Sequence, residues 1–437
     1  MIRRRFLFGA AALVAAAGAL FGGVLAGKPS PSPAAPPVLV GAAQRPEGLS
    51  PQGAEASILR LEERVTEDPR DAESLMLLGL AYQQRARETG DPSLYRRSEE
   101  ALGRSLALVP DDDLAVTGLA TLAASRHRFR DALLLARKAL ALNPYLAAAQ
   151  GVRGDALLEL GHYRRAFAAF DRMASLKPDL AAYARVAYAR ELLGRTRAAI
   201  SAMVLATRAG SATGEDVAWA FVELGNLRFN SGRLRLAERA YREALARFPG
   251  YHRARAGLAR IVAARGHTDG AVALYRAALD AVPLPEYAAR LAETLTVAGR
   301  EADARDAYSL VDAMERLFEA NGVRTELETA LVDLDRGRNL TDALARAREA
   351  YTERRSIEAE DVLAWALYRN GRCAEARRHS ALALRLGTRD ALKLFHRGLI
   401  ERCLGNEADG RAFVRRALET NPYFSLRYAP VARRLAR

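Results

Sequence analysis

The chain has 437 residues, 50% of them hydrophobic, and a formal net charge of +14 at pH 7. Alanine, leucine, arginine and glutamate dominate, a mixture that favours helices, and the alternating Val, Ile and Thr runs of a β-sheet are missing. The charge does not predict nucleic-acid binding, since it comes from scattered arginines and not from a basic stripe with interleaved aromatics.

The positive charge leaves two interpretations open. Most arginines lie within a few residues of glutamate or aspartate, which is typical of solvated helix faces. A net positive surface also attracts anionic material such as cell-wall polymer or phospholipid head groups. The charge therefore suggests an anionic partner without requiring one.

The sequence of residues 1–27 predicts that the chain is exported. Three arginines precede an uncharged apolar run from Phe6 to Gly27, which exceeds the roughly 20 residues that a membrane-spanning helix needs. Alanine and glycine dilute the run, and small residues near Val24-Leu25-Ala26 suit a cleavage site. The segment is thus either a signal peptide or a single transmembrane anchor, and both place the rest of the chain outside the cytoplasm. No cysteine follows it, which argues against a lipid anchor.

Residues 28–53 form a proline-rich linker. Repeated proline blocks helical hydrogen bonding and favours an extended chain, so the segment is either a semi-rigid tether or a stub without a role. Residues 54–71 are predicted to contain a leader helix that ends near Pro69.

The stretch from Ala218 to Pro249 defines a repeating pattern. It reads as two amphipathic helices joined by a turn at Asn230-Ser231-Gly232, and similar sequences recur every 33 or 34 residues over residues 72–422. Two such helices cannot bury their apolar stripes alone, so each unit has to cover the next. The sequence predicts an all-α fold, an α-solenoid of about ten helix-turn-helix units, closed by a capping helix in residues 423–437.

This pattern resembles the tetratricopeptide repeat. Its slots hold Phe221, Leu224-Gly225, Ala237, Tyr241 and Pro249, although Arg228 replaces an expected aromatic residue. The tail from Ala364 to Ser425 also resembles exported bacterial repeat proteins. The resemblance implies a right-handed superhelix that binds a protein or peptide along its concave face.

By the register of the family, the first helix of each unit lines that groove. The resemblance assigns partner binding to Asp155, Glu159, Tyr188, Asn226, Phe229, Asn230, Arg253, Arg260, Arg290 and Glu293. Asn226 fills the slot in which chaperone-binding members hold a terminal carboxylate. At the other positions of that carboxylate-binding site, the chain has Val222, Gly257 and Glu286 in place of the expected lysine and asparagine residues. We therefore do not expect the chain to hold a terminal carboxylate in this way.

No constellation for chemistry is apparent. The sequence contains no HExxH, GxSxG, phosphate-binding or dinucleotide-binding motif, and no Cys/His cluster at metal spacing. Adjacent carboxylates at Asp111 to Asp113 suit the N-terminus of the next helix. We expect no enzymatic activity, no cofactor and no metal.

The two cysteines are expected on antiparallel neighbouring helices. Cys373 starts the second helix of unit nine and Cys403 ends the first helix of unit ten, so the two ends lie close together. In an oxidising compartment they could form a disulfide, and otherwise they are two buried free thiols. Bridging requires Cα atoms within about 7 Å.

Together these features predict an extracytoplasmic scaffold that mediates protein or peptide interaction in envelope-associated assembly. The alternative is a basic adaptor for anionic envelope polymer or a membrane surface. The sequence identifies no partner, and it does not decide whether the N-terminal segment is cleaved.

Overall fold

The computed structural model describes residues 54–210, 212 and 214–437. The predicted export segment and the proline-rich linker lie outside these residues. The described part contains 22 helices and no strand. The helices are α1 Ala54–Glu67, α2 Ala72–Thr89, α3 Leu94–Leu108, α4 Asp113–Ser125, α5 Phe129–Leu142, α6 Ala147–Glu159, α7 Tyr163–Leu176, α8 Leu180–Leu192, α9 Thr196–Ala209, α10 Glu215–Asn230, α11 Leu234–Arg247, α12 His252–Ala264, α13 Thr268–Ala281, α14 Pro285–Val297, α15 Glu301–Ala320, α16 Glu326–Arg336, α17 Leu340–Glu353, α18 Ile357–Arg369, α19 Cys373–Ala383, α20 Ala391–Cys403, α21 Glu407–Thr420 and α22 Tyr428–Leu435.

The helices from α2 to α21 pack as ten consecutive pairs, which are called units one to ten. Each pair also packs on its neighbours, with α1 against the first unit and α22 against the last. The predicted all-α solenoid of about ten units is confirmed. None of the described helices combines the length and the apolar character needed to cross a bilayer.

Close packing depends on one small residue at the same position in each second helix. An alanine side chain lets the neighbouring helices approach, and a larger one would overpack the contact. The alanine at this position is almost fully buried from unit two to unit nine: Ala132, Ala166, Ala199, Ala237, Ala271, Ala304, Ala343 and Ala376.

Unit five shows why glycine recurs in the first helices. The ring of Tyr241 lies between Gly225 of its own unit and Gly257 of unit six, and a Cβ atom at either glycine would approach the ring to 2.5 Å. The hydroxyl of Tyr241 donates to Asn226 Oδ1 at 2.8 Å. The repeat motif thus serves the contact between units.

The superhelix closes on itself. The turns inside units one to five contact the links between units six to ten and the end of unit ten, along a line that we call the seam. Its contacts include His127 Nδ1 donating to the carbonyl oxygen of Arg324 at 2.7 Å, across a sequence separation of 197. Farther along, the Arg355 amide donates to the Glu159 carbonyl at 2.8 Å.

The seam continues on both sides of these hydrogen bonds. At four turn glycines, an added Cβ atom would lie within 4 Å of the later part of the chain across the seam: Gly90, Gly161, Gly194 and Gly232. The Ile357 amide also donates to Tyr163 Oη, 194 residues earlier. A complete turn of the superhelix therefore takes between five and six units.

Helix α15 explains the irregularity of unit seven. With 20 residues it is the longest described helix, and its extension carries Phe318 toward units one and two. Phe318 and Val323, which follows the helix, pack in one cluster with Ala86, Tyr95 and Leu122. The departure from the repeat thus supplies an apolar contact between the two turns of the superhelix.

His127 should reveal the strength of the seam. It adopts a left-handed conformation (φ 57°) at the turn of unit two, where the other seam turns have glycine. His127→Ala removes the hydrogen bond to Arg324 and keeps the left-handed conformation, so it should lower the free energy of unfolding by about 1 kcal/mol. His127→Gly loses the same hydrogen bond but relieves the left-handed strain, so it should be about 1–2 kcal/mol more stable than the alanine variant. Urea unfolding followed by circular dichroism would contradict this if the alanine variant equalled the glycine variant.

Candidate functional site

The first helices place polar side chains along the concave face of the superhelix, which we call the lumen face. Adjacent units are joined there by polar pairs at separations of 30–35 residues. In units three and four, Arg185 donates to both carboxylate oxygens of Asp155 at 2.6–3.1 Å. In units five and six, Arg260 donates to Asn226 Oδ1 at 2.9 Å.

The predicted groove residues lie on this lumen face, but nearly all are buried. Asp155, Glu159, Asn226, Phe229, Arg253, Arg260 and Arg290 are each less than 9% exposed. Tyr188, Asn230 and Glu293 are partly buried. Because these side chains are buried, they do not present an open groove of the expected kind to solvent. Their predicted contact with a partner stays a prediction.

Most of these residues bind one another. Glu159 accepts a hydrogen bond from Arg354 at 3.1 Å across the seam, and Arg290 pairs with Glu293 at 3.0 Å. The guanidinium of Arg260 stacks 4.1 Å from the ring centroid of Phe229. The Tyr188 hydroxyl is buried without a hydrogen-bond partner among the described residues. The side chains act mainly as internal structure.

The sequence interpretation missed several of these polar pairs. His252 pairs with Tyr287 Oη at 2.7 Å, and Lys393 pairs with Glu358 of the preceding unit. Both pairs join residues 35 positions apart on successive first helices. Complementary polar residues at that separation are the signal that could have revealed them.

Glu223, on the lumen face of unit five, has a perturbed carboxyl. Its Oε1 is buried and has no hydrogen-bond partner among the described residues. Burial raises its pKa from 4.5 to about 7, against the lowering effects of Asn226 and Arg253. The folded state therefore favours the neutral acid, because no cation compensates fully for the lost hydration.

Glu223→Gln should stabilise the protein in a pH-dependent way. A raised carboxyl pKa gives stability that is present below pH 4.5 and is lost as the pH rises through about 7. The variant should therefore gain about 3 kcal/mol at pH 8 and less than about 1 kcal/mol at pH 5. Urea unfolding at both pH values measures this, with exposed Glu63→Gln on α1 as control. An equal change at both pH values would exclude the explanation.

A cleft of about 670 Å³ opens where the seam joins units four and five to units nine and ten. We call it the seam cleft. Its walls carry five arginines against two glutamates, and its floor includes Leu227, Leu394 and Phe413. The charged residues are Arg197, Arg233, Arg389, Arg397, Arg416, Glu191 and Glu419.

The five arginines differ in their partners. Arg397 pairs with Glu401 at 2.6 Å, and Arg416 lies 5.2 Å from the ring centroid of Phe413. The other three, Arg197, Arg233 and Arg389, are exposed, and none forms an ion pair with another residue that the structure describes. Of the predicted groove residues, only Asn230 lines this cleft.

Other features of the described region give no indication of catalysis. No group of three or more His, Cys, Asp or Glu side chains within it could hold a metal. Burial is the main cause of the raised pKa of the Glu223 carboxyl.

The comparison with protein families concerns units five and six. Residues 222–284 match the model of the tetratricopeptide repeat. They span most of α10, all of α11 to α13 and the approach to α14, which are the helices with the Tyr241 contact. Units five and six are therefore tetratricopeptide repeats, which confirms the resemblance of the chain to that family. This fold is typical of interaction scaffolds.

Several solved structures are similar to parts of the chain. A thermophilic protein from Thermus thermophilus is 20% identical, over 41% of this chain and 92% of that one, with a TM-score of 0.36. A protein from Parabacteroides merdae is 13% identical, over 59% and 92%, with a TM-score of 0.41. PilW, a type IV pilus biogenesis factor, is 20% identical, over 46% and 92%, with a TM-score of 0.39. No curated protein matches the sequence.

Proposed function

We propose that this tetratricopeptide-repeat protein is an exported scaffold that binds a protein or peptide in envelope-associated assembly. Its N-terminal 27 residues would direct export and either remain as an anchor or be removed. The repeat array would then act outside the cytoplasm. No chemistry is assigned to it, because its distinctive surfaces are suited to binding.

The cysteine pair carries the proposed location. Cys373 and Cys403 form a disulfide with a Cα–Cα distance of 6.2 Å, within the range that bridging requires. It joins unit nine to unit ten, and Cys403 lies at the surface. Such bonds persist in oxidising compartments and are rare in a reducing cytoplasm.

Thiol labelling in intact cells tests this location. The full chain is expressed in a bacterium, trapped with acid and treated with a maleimide-polyethylene glycol reagent, with or without prior reduction. We expect a mass shift only after reduction, and none in the Cys373→Ser/Cys403→Ser variant. A chain without residues 1–27 should label without reduction. If the full chain also labels without reduction, the proposed compartment is wrong.

A second candidate function follows from the basic seam cleft. The chain could hold anionic envelope polymer or phospholipid, with its three unpaired arginines providing the attraction. Exposed charge interactions are screened above physiological salt. Binding of anionic polymer that disappears between about 0.15 and 0.5 M salt would favour the adaptor. Salt-resistant capture of one protein would favour the scaffold.

A further inference from the structure

We propose that the seam cleft binds an acidic segment of a partner protein in an extended conformation. This inference rests on the proposed scaffold function and names the chemistry of its partner. It places recognition between two turns of the superhelix and not on the concave face. Charge, an unpaired hydroxyl and the size of the cleft support it.

Charge is the first support. Arg197, Arg233 and Arg389 come from unit four, unit five and the link before unit ten, and the seam brings them to one cleft. None forms an ion pair with another described residue, whereas many arginines of the chain do. Guanidinium groups bind carboxylates through paired N–H donors. The site therefore presents three guanidinium groups that form no ion pair with a carboxylate of the described residues.

Thr388 is the second support. Its side chain lines the cleft and is only 5% exposed, yet its Oγ1 has no hydrogen-bond partner among the described residues. A buried polar group without a partner costs free energy. A carboxylate or backbone carbonyl in the cleft would accept its hydrogen bond and remove that cost.

The size of the cleft suits a short peptide segment. Its volume of about 670 Å³ falls within the range of about 300–1,000 Å³ that is typical of ligand pockets, and it is too large for one inorganic anion. Apolar side chains of Leu227 and Leu394 at the floor would contact side chains that alternate with the acidic ones.

Two other anionic partners fit less well. A flat membrane surface would not reach Thr388, because that side chain is buried between the turns. Single-stranded nucleic acid binds by stacking on open aromatic faces. The aromatic ring of Phe413 is already contacted by the guanidinium groups of Arg397 and Arg416.

A labelled octapeptide of alternating glutamate and leucine tests the proposal by fluorescence anisotropy with the purified full-length chain. Its counterpart has glutamine in place of glutamate. We expect the acidic peptide to bind about tenfold more tightly or better than the glutamine peptide. The triple variant Arg197→Glu/Arg233→Glu/Arg389→Glu should lose about tenfold or more of that affinity.

The matched control reverses three arginines outside the cleft. Arg104, Arg137 and Arg276 lie exposed on second helices and form no ion pair with another described residue. Their joint replacement by glutamate changes the net charge of the chain by the same amount. It should weaken binding by no more than about twofold, through long-range attraction alone. Equal losses in both triple variants would overturn the proposal.

Thr388→Val gives an independent readout. It keeps the side-chain shape and removes an unpaired hydroxyl, so the thermal midpoint should stay unchanged or rise. Peptide affinity should nevertheless fall about threefold or more, the effect of one lost hydrogen bond. Unchanged affinity would exclude Thr388 from the site.

Further titrations distinguish the classes of partner, and a crosslinking experiment distinguishes the peptide site from the proposed scaffold function. A deoxythymidine oligonucleotide and phosphatidylglycerol vesicles replace the peptide in parallel titrations, and cleft-dependent binding of either one more tightly than the peptide would overturn the assignment. Photo-crosslinking groups are then placed at position 389, in the cleft, and at position 276, outside it. Crosslinking in intact envelopes tests whether the chain binds a protein at all. A single protein captured without dependence on the cleft would reject the peptide site and leave the scaffold function standing.

Discussion

Gly194→Ala is expected to open the seam. Gly194 adopts a positive φ of 69°, and an added Cβ would overlap the carbonyl oxygen of Gly387 from the later turn. Left-handed strain costs about 1–2 kcal/mol, and overpacking against backbone adds about 1–3 kcal/mol. The variant should therefore lose about 2–5 kcal/mol of unfolding free energy, on the same two terms.

Gly371→Ala is the matched control. Gly371 occupies the equivalent turn of unit nine with a φ of 74°, but nothing lies within 4 Å of the added Cβ. Only the left-handed strain of about 1–2 kcal/mol applies. Urea unfolding gives the difference, and small-angle X-ray scattering should show a larger radius of gyration for Gly194→Ala alone. Equal losses and equal radii would mean that the seam contributes no stability.

Arg354→Met should destabilise the protein about as strongly as Gly194→Ala does. The buried guanidinium of Arg354 bridges Glu159 of unit three and Glu328 of unit eight, at 3.1 and 3.0 Å. Its removal leaves two carboxylates without their cation in the interior. Breaking a buried ion pair in this way costs about 3–5 kcal/mol. Arg324→Met provides the control, since Arg324 pairs with Glu353 at the exposed edge of the same seam and should cost less than about 1 kcal/mol.

The loss of unfolding free energy in Arg354→Met should depend on pH. Burial raises the pKa of Glu328, but the Arg354 guanidinium outweighs it and holds that pKa below 4.5. A lowered carboxyl pKa gives stability that is present above pH 4.5 and is lost as the pH falls through the folded-state value. Without Arg354, the largest effect that lowers the pKa of Glu328 is lost, so burial raises that pKa and the Glu328 carboxyl becomes neutral more readily as the pH falls. The difference from the wild type should therefore be largest near pH 7.5 and shrink toward pH 4.5, as unfolding curves can show.

Local structure followed from the sequence because it depends on neighbours. A spacing of 33 or 34 residues, buried alanines such as Ala237 and turn residues such as Gly232 decide where each pair of helices begins and ends. Cys373 and Cys403 also lie in adjacent units, so their proximity depends only on the packing of neighbouring helices. Each of these features repeats along the chain, so the pattern itself indicates it.

The seam could not be predicted in the same way. It joins residues about 195 positions apart, such as Glu159 and Arg354, and depends on a small rotation per unit summed over nearly six units. No residue pattern encodes that sum. The register places Asp155 and Arg253 on the concave face and predicts an open groove, whereas both side chains are buried in the structure.

The seam cleft was missed for the same reason. Arg197, Arg233 and Arg389 are ordinary exposed arginines in the sequence, and they come together only after one full turn of the superhelix. Thr388 carried no signal at all. Its significance lies in a hydroxyl that is buried without a partner, which only coordinates reveal.

Closure of the superhelix changes how such a molecule should fold. In an open array each unit contacts only its neighbours, so unfolding can start at an end and proceed one unit at a time. Here the hydrogen bonds of His127 and Tyr163 reach 197 and 194 residues along the chain. Long-range contacts of this kind raise the contact order and slow folding. Units one to five and their later neighbours would then unfold as a single cooperative block, so that shortening the array from its C-terminus would weaken units near its start.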